Sequence, residues 1–347
     1  MSTTTNGMLG KWSKVKLFTH NDLDGIGCQI VGRLAFDDID TTIVRNPQDA
    51  SKKVAEFVNS GEFTNYDKIF ITDISVDEET AELIDNLEWE VHRFSLLDHH
   101  GTAEFLNKYN WAEVIVKGAL GKNSGTNMFF EFLSMHGFFN REIYRDALII
   151  FVEKVRRYDS WEWKEIYNDL EASSLNQLFW LLGQSKFAET FIKRFKYSNI
   201  FTIREGSWKH MFSDGDKVVI DIDNDKKESY IDRKEKQMMV KNLLGNKVGV
   251  VFAEQYISEL GNVLSERHQD LEYIVMIDMG NKRVSYRTTH NDIDLGKDVA
   301  KVYGGGGHAK ASGSSFGDKV LDLSFNLIFG LGFIGKLNKI IDKIARK

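Results

Sequence analysis

The sequence contains very little cysteine or proline. Cys28 is the single cysteine and Pro47 the single proline in 347 residues. One cysteine excludes an internal disulfide, so an oxidising compartment is not needed to stabilise the fold. The first residues, MSTTTNGMLGKW, lack the basic segment and apolar run of a secretory signal. We therefore expect a cytoplasmic protein.

Long hydrophobic runs are also scarce. The longest, LSFNLIFGLGFIG at residues 323–335, is too short and too interrupted by Asn and Gly to span a bilayer. We expect no membrane span and predict that this run is a buried strand or helix. Residues 336–347 then place apolar side chains on one helical face. This tail could rest on a membrane or a partner, but we expect a terminal helix packed against its own domain.

The chain has no excess of positive charge either. Its formal net charge is -6, with 42% hydrophobic and 28% charged residues. This balance argues against a protein that holds nucleic acid through a broad basic surface. A polyanionic ligand would need positive charge from another source.

What the sequence does contain is a regular alternation of strand and helix. Strand-like runs at residues 15–19, 41–45, 68–74 and 90–97 are separated by helical patterns, which predicts an α/β fold with a doubly wound parallel sheet. Three of these runs end in polar strings, THNDLDG, TDIS and LDHHGT. Because the carboxyl ends of parallel strands form the ligand crevice, these strings should converge.

The second half predicts a smaller α/β domain. After a charged stretch that resembles a long helix, strand and helix patterns return from residue 247, with a hairpin turning at Gly280 and Asn281. We predict a catalytic domain at 1–205, a connecting helix at 206–245 and a substrate-binding domain at 246–347, with the active-site cleft between the two domains.

The polar strings suit a pair of hard divalent cations. Two such ions about 3.5–4 Å apart can act on both oxygens of a phosphoryl displacement. The crowded carboxylates would repel one another without cations, and two divalent ions would change the formal charge from -6 to -2. We expect Mn2+ first, with Mg2+ or Co2+ as alternatives. We expect Asp73 to be the carboxylate that binds both ions. The candidate ligands are His20, Asp22, Asp24, Asp73, His99 and Asp159.

Other motifs allow simpler interpretations. Counted from His20 as the first position, an EF-hand would need Glu where Val31 stands, so that reading fails. The string His-Asn-Asp-x-Asp recurs at 290–294 before a short helix, where we expect Asp292 or Asp294 to be an N-cap and no metal to bind. The run GGGGH lacks the GK[ST] of a P-loop. It could be a hinge, or could let backbone N–H groups approach a phosphate or base.

In order, HNDLDG, TDIS, LDHHGT, RRYDSW, SYRTT and YGGGGHAKASG resemble the DHH phosphoesterase superfamily with a C-terminal DHHA1 domain, over nearly the whole chain. Within it, the chain looks most similar to oligoribonucleases of the nano-RNase B type. The resemblance implies one ion on His20, Asp22 and Asp73, and another on Asp24, Asp73, His99 and Asp159. It implies that His100 faces the scissile phosphate, and we predict Asp98 as catalytic with it. The predicted substrate contacts are Arg287, Gly305, Gly306, Gly307, His308 and Ser312.

The expected activity is metal-dependent hydrolysis of short oligoribonucleotides, including linear dinucleotides, to mononucleotides. Three alternatives within enzymes stay open: opening of cyclic dinucleotides, RecJ-like digestion of single-stranded DNA, and hydrolysis of pyrophosphate, which the GGGGH loop disfavours. A nucleotide-binding sensor without turnover is the non-enzyme alternative, against which the intact ligand set speaks. A homodimer is left open, as is base stacking by Tyr158, Trp161 and Trp163.

Overall fold

The chain divides into two units, Met1–Ile220 and Asp221–Lys347, in a computed structural model. The structure describes residues 12–140, 142, 144–197 and 211–345. The predicted boundary at residue 205 lies outside the described residues. The assignment of catalysis to the first domain and substrate binding to the second stays a prediction.

The first unit is built on a parallel sheet whose strand order is β2-β1-β3-β4-β5. This confirms the predicted doubly wound α/β fold. Its strands are β1 (Lys14–His20), β2 (Asp38–Val44), β3 (Lys68–Thr72), β4 (Phe94–Asp98) and β5 (Ala112–Val114), followed by a small hairpin of β6 (Lys117–Gly118) and β7 (Gly121–Lys122). Its helices are α1 (Leu23–Ala35), α2 (Pro47–Asn59), α3 (Glu78–Asp85), α4 (Gly125–Met135), α5 (Arg145–Asp159), α6 (Glu162–Glu165), α7 (Leu170–Leu182) and α8 (Gln184–Tyr197). Helix α9 (Asp214–Gln237) runs into the second unit.

Helices cover both faces of this sheet. Leu17 packs into one hydrophobic cluster and its neighbour Phe18 into the other. Successive side chains of a strand point to opposite faces, so each central strand contributes to both clusters. Strand β1 pairs with β2 on one side and β3 on the other, which places the point where the strand order reverses between β1 and β3. Ligands of doubly wound sheets bind at this point, beyond the carboxyl ends of the strands.

The second unit has a mixed sheet of order β12-β13-β11-β10-β9-β8, in which only β9 and β10 are parallel. Helix α10 packs on one face of it, and the segment around Leu295 and Val299 on the other. Its elements are β8 (Met239–Leu243), β9 (Asn246–Phe252), α10 (Ile257–Arg267), β10 (Tyr273–Asp278), β11 (Arg283–Arg287), β12 (Gly306–Gly307), β13 (Ala311–Ser315), α11 (Asp318–Phe329) and α12 (Gly332–Ala345).

The predicted connecting helix is too long at its C-terminal end. Helix α9 ends at Gln237, and the residues from Met239 form edge strand β8, antiparallel to β9. The connection between them is Leu244 and Gly245, with φ of 54° and 85°. Two consecutive residues with positive φ are what a tight two-residue hairpin requires, and the glycine accepts this conformation readily.

The predicted burial of residues 323–335 is wrong. Helix α11 contains no buried residue, and Ile328 and Phe333 are 73% and 83% exposed. The expectation that the tail packs on its own domain fails for its described side chains Leu337 and Ile341, which are also exposed; Ile340 and Ile344 lie outside the described side chains. Apolar sequence favours burial only where a surface is available to cover it. No single described helix is long and apolar enough to cross a membrane, although α11 and the start of α12 reach that length and hydropathy together as a bent pair.

Candidate metal centre

The first His-Asn-Asp-x-Asp string turns the chain from β1 into α1. His20 is the last residue of β1, and Asp22 is the N-cap of α1, where its Oδ1 accepts from the Gly25 N–H at 3.0 Å. A Cβ at Gly25 would lie 2.1 Å from the His20 carbonyl oxygen, so this turn requires glycine. Asp24 follows in the first turn of the helix. The local sequence thereby brings three candidate ligands to the end of one strand.

Asp73 follows directly after β3 and has a left-handed backbone, with φ of 56°. Left-handed non-glycine residues are strained and concentrate at functional sites. Its Oδ2 is buried and has no hydrogen-bond partner, although buried carboxylate oxygens are normally satisfied. A Cβ at Gly125 would lie only 2.4 Å from the Asp73 Cβ, so a glycine at the start of α4 makes room for this aspartate.

The six predicted metal ligands meet as two groups that share Asp73. In the first group, His20 Nδ1 lies 2.7 Å from Asp22 Oδ2 and 3.9 Å from Asp73 Oδ2. In the second, His99 Nε2 lies 3.6 Å from Asp24 Oδ2 and 3.4 Å from Asp159 Oδ2, and 3.2 Å from Asp73 Oδ1. Within each of the triads His20, Asp22, Asp73 and Asp24, His99, Asp159, the donor atoms all lie within 4.8 Å of one another.

The electrostatics of this cluster fit divalent cations. Burial and repulsion by Asp24 and Asp22 hold the pKa values of Asp73 and Asp159 well above the usual range of a carboxyl. A bound cation would reverse this effect and keep the carboxylates ionised. Burial lowers the pKa of His99, which favours the neutral imidazole that binds metals. The orphaned Asp73 Oδ2 and this donor set together show that the residues present fit a metal centre.

His20 is oriented by the chain as a metal-binding histidine would be. Its Nε2 lies 3.2 Å from the Arg45 carbonyl oxygen, and because a carbonyl only accepts, Nε2 donates to it. Nδ1 then faces Asp22 and Asp73. Metal-ligating histidines usually donate their second ring N–H to a carbonyl or carboxylate in this way.

Asp98, which we predicted as catalytic with His100, has a positioning role in this structure. Its side chain is fully buried and accepts hydrogen bonds from Ser75 Oγ, the His99 N–H and His100 Nδ1 at 2.7, 2.8 and 2.7 Å. Its carboxylate also lies within 4.8 Å of donor atoms of Asp73, His99 and His100, and its catalytic role stays a prediction. Its hydrogen bond raises the pKa of His100 to about 9, and half of the His100 side chain is exposed.

Helix α4 supplies a contact that the sequence prediction missed. The backbone N–H groups of Gly125 and Thr126 donate to the two carboxylate oxygens of Asp24 at 2.6 and 2.9 Å. The start of a helix attracts negative charge, so α4 fixes the orientation of the Asp24 carboxylate. The signal was present as Ser-Gly-Thr before an apolar run, and Ser124 is the N-cap of α4.

A buried arginine supports Asp159 and was missed as well. Arg156 is 1% exposed and donates to Glu153 and Glu162, and to the Lys122 carbonyl oxygen at 2.7 Å. These bonds join the end of α5 to β7 and α6. Asp159 is the last residue of α5, so the buried ion pairs hold the helix end from which this ligand projects.

The predicted substrate residues of the second unit differ in exposure. His308 and Gly306 are exposed, and Arg287 is half-buried with its Nη2 donating to Ser258 Oγ at 3.1 Å. Ser312 is buried, and its hydroxyl donates to the Leu295 carbonyl oxygen at 3.0 Å. The Ser312 hydroxyl is therefore occupied within the unit, and the predicted substrate contact of Ser312 stays a prediction.

Two glycines of the GGGGH run are required by the local packing and backbone conformation. A Cβ at Gly305 would lie 2.0 Å from the Gly313 carbonyl oxygen, and Gly307 has φ of 135°. Gly306 has open space around it and is free of such a constraint. Within the GGGGH run, Gly305 and Gly307 are therefore closely packed, whereas Gly304 and Gly306 have open space around them.

The parallel sheet and the convergence of the HND, DxS and DHH strings at its strand ends define a phosphoesterase of the DHH superfamily. No family model matches the sequence. The chain is 38% identical over 309 residues to oligoribonuclease NrnB of Bacillus subtilis (strain 168), covering 88% of this chain and 74% of that protein. The chain therefore belongs to the NrnB family of DHH phosphoesterases.

Two solved structures are also similar. The pGpG-specific phosphodiesterase PggH of Vibrio cholerae is 15% identical, with a TM-score of 0.49 over 91% of this chain and 97% of that one. An exonuclease RecJ bound to manganese is 12% identical, with a TM-score of 0.45 over 90% and 88% of the two chains.

Proposed function

We propose that this protein hydrolyses short oligoribonucleotides, including linear dinucleotides, to mononucleotides with two divalent metal ions. The observation that carries the proposal is the pair of ligand groups that share Asp73, in a chain 38% identical to an oligoribonuclease. We propose Mn2+ as the ion, because the donor set combines carboxylates with imidazoles. His20, Asp22 and Asp73 would hold one ion, and Asp24, Asp73, His99 and Asp159 the other.

The protein's own groups have separate tasks. When bound, a pair of divalent ions supplies Lewis-acid charge at the phosphoryl group and acidifies a water molecule. His100 donates a hydrogen bond to the phosphate, because Asp98 holds it by Nδ1 and keeps it protonated near neutral pH. The donor is in place before the substrate arrives, so no reorganisation is needed when negative charge develops.

Trp161 supports a substrate with an unpaired base. It is 58% exposed and stacks on Trp163, which stacks on Tyr158, with ring centroids 6.2 and 6.0 Å apart. Trp161 lies two residues after Asp159. An exposed aromatic face on a rigid stack can hold a nucleobase of a single-stranded ligand. Base stacking by Tyr158, Trp161 or Trp163 was left open by the sequence analysis. Of these three, Trp161 has the exposed ring face that a base would need.

The second unit would bind the remainder of the substrate. We propose that Arg287, Gly306 and His308 contact its terminal phosphate and sugar, with Gly305 and Gly307 shaping the loop. The predicted cleft between the domains, the homodimer and the cytoplasmic location stay predictions.

The test is product analysis with the full chain and Mn2+. The substrates are labelled RNAs of two, five and twenty-four nucleotides, single-stranded DNA and a cyclic dinucleotide. We expect rapid conversion of the two shorter RNAs to mononucleotides, with the others largely spared. Ring opening would favour the cyclic dinucleotide phosphodiesterase, preferred DNA digestion the RecJ-like exonuclease, and binding without cleavage the sensor.

A further inference from the structure

The two C-terminal helices form a surface that the fold leaves uncovered. We call α11 and α12 the bent helix pair; they meet at an angle of 44°. Gly330 between them and Gly332 at the start of α12 have φ of 63° and 62°, a conformation that glycine adopts easily. The bend is therefore built into the sequence. The exposed large apolar side chains of the pair are Val320, Leu323, Phe325, Ile328, Phe329, Leu331, Phe333, Ile334, Leu337 and Ile341.

This surface leaves many large apolar side chains in water. Phe333 is 83% and Ile328 73% exposed, and no residue of α11 is buried. Contiguous exposed apolar patches of this kind mark sites that contact a protein or a membrane. The remaining question is which of these partners the pair would contact.

The charge of the segment identifies the partner. Residues 318–347 contain six Lys or Arg and three Asp, a net charge of +3 in a chain whose total is -6. No charged residue interrupts 323–335, and five of the six basic residues follow it. In a dimer formed through this surface, two segments that each carry a net charge of +3 would face each other. Their repulsion opposes self-association. An apolar surface next to a basic one instead complements a bilayer with anionic headgroups.

We propose that the bent helix pair docks the protein peripherally on anionic lipid bilayers. Residues 323–335 enter the boundary between headgroups and acyl chains, and the positive charge of the sequence from Lys336 onward attracts the anionic headgroups. The uncharged stretch is too short to span, so the pair lies in the interface. This inference does not depend on the proposed hydrolysis.

The test is sedimentation of the full chain with vesicles. We expect binding to vesicles of phosphatidylcholine and phosphatidylglycerol, little binding to phosphatidylcholine alone, and weakening by salt. The double variant Ile328→Asp and Phe333→Asp should bind at least about tenfold more weakly. The control is Leu170→Asp in α7, where Leu170 is 66% exposed. It should bind like the unmodified protein.

Three results would overturn the proposal. They are no sedimentation with anionic vesicles, equal binding to neutral vesicles, and equal loss in both variants. Light scattering adds a fourth: a dimer that becomes a monomer only in the double variant would assign the surface to a second copy. The circular dichroism spectrum and the thermal unfolding midpoint of the same preparations should be unchanged, which shows that the double variant is folded.

Discussion

The two His-Asn-Asp-x-Asp strings have nearly the same sequence and opposite surroundings. The first follows a central strand of a parallel sheet, and its His and both Asp side chains join groups with Asp73 or with His99 and Asp159. The second follows β11 on the surface of the other unit. His290 there donates to the Leu271 carbonyl oxygen, and Asp294 caps the helical segment from Leu295.

The difference shows that the residues packed around a His-Asn-Asp-x-Asp string, more than the string itself, determine whether it can form a metal site. The second string does form a triad of Glu272, His290 and Asp292, but Asp292 is exposed and no second group adjoins the triad within the described residues. The first lies beside the buried Asp73, whose Oδ2 has no hydrogen-bond partner. Exposed carboxylates are solvated by water, whereas buried ones need a cation or a proton.

The sharpest test of this comparison is a matched pair of substitutions. Asp22→Asn should reduce hydrolysis by at least about a hundredfold, since even outer contacts of metal ligands cost 10–100-fold. Asn caps helices as well as Asp, so α1 should stay folded. Asp292→Asn should leave activity within about twofold, as expected for surface changes away from the site. Calorimetric titration with Mn2+ should show one fewer tight site only for Asp22→Asn, and equal effects of the two variants would refute the assignment.

The positioning of His100 is expected to matter less than a ligand but more than any surface group. Asp98→Asn should lower kcat by about 10–100-fold while Mn2+ binding is retained. The variant removes the negative charge that raises the pKa of His100, so the imidazole should lose its proton at lower pH. Nuclear magnetic resonance titration of His100 would measure this change. An unaltered His100 pKa would contradict the role given to Asp98.

The aromatic stack of Tyr158, Trp163 and Trp161 should affect the affinity for substrate. Trp161→Ala should raise KM for dinucleotides by about 5–150-fold, because stacking contributes about 1–3 kcal/mol per base. A smaller change in kcat is expected, since the ring does not touch the reacting atoms. Trp180→Ala in α7, where the ring is 63% exposed, is the control. If both variants raise KM equally, Trp161 has no special contact with the base.

The smallest effect is expected at the second string. Asp294 Oδ1 accepts from the N–H groups of Gly296 and Lys297 at 3.1 and 3.0 Å. Asp294→Ala should therefore lower the free energy of unfolding by about 1 kcal/mol, and Asp294→Asn by much less. Urea denaturation followed by circular dichroism measures both variants. Equal stability of the Ala variant and the unmodified protein would show that the cap contributes little.

Much of the first unit could be predicted because its signals are local. Strand-helix alternation predicts a parallel sheet, and such a sheet aligns the strand ends that carry His20, Asp73 and His99. The backbone contacts of Gly125 and Thr126 with Asp24 were not predicted, because they join residues about a hundred positions apart. The burial of Asp98 was missed because its partner Ser75 follows the neighbouring strand β3, and strand pairing brings the two side chains together.

The sequence by itself determined the class of sheet, the residue types of the candidate metal centre and a helix cap at Asp292 or Asp294. These features follow from periodicity and from side-chain chemistry, which act over a few residues. Only the tertiary structure decided that Asp98 positions His100, that Ser312 points inward and that the C-terminal helices stay uncovered. Burial is a property of the surfaces that meet, and a single segment does not specify the surface that will cover it.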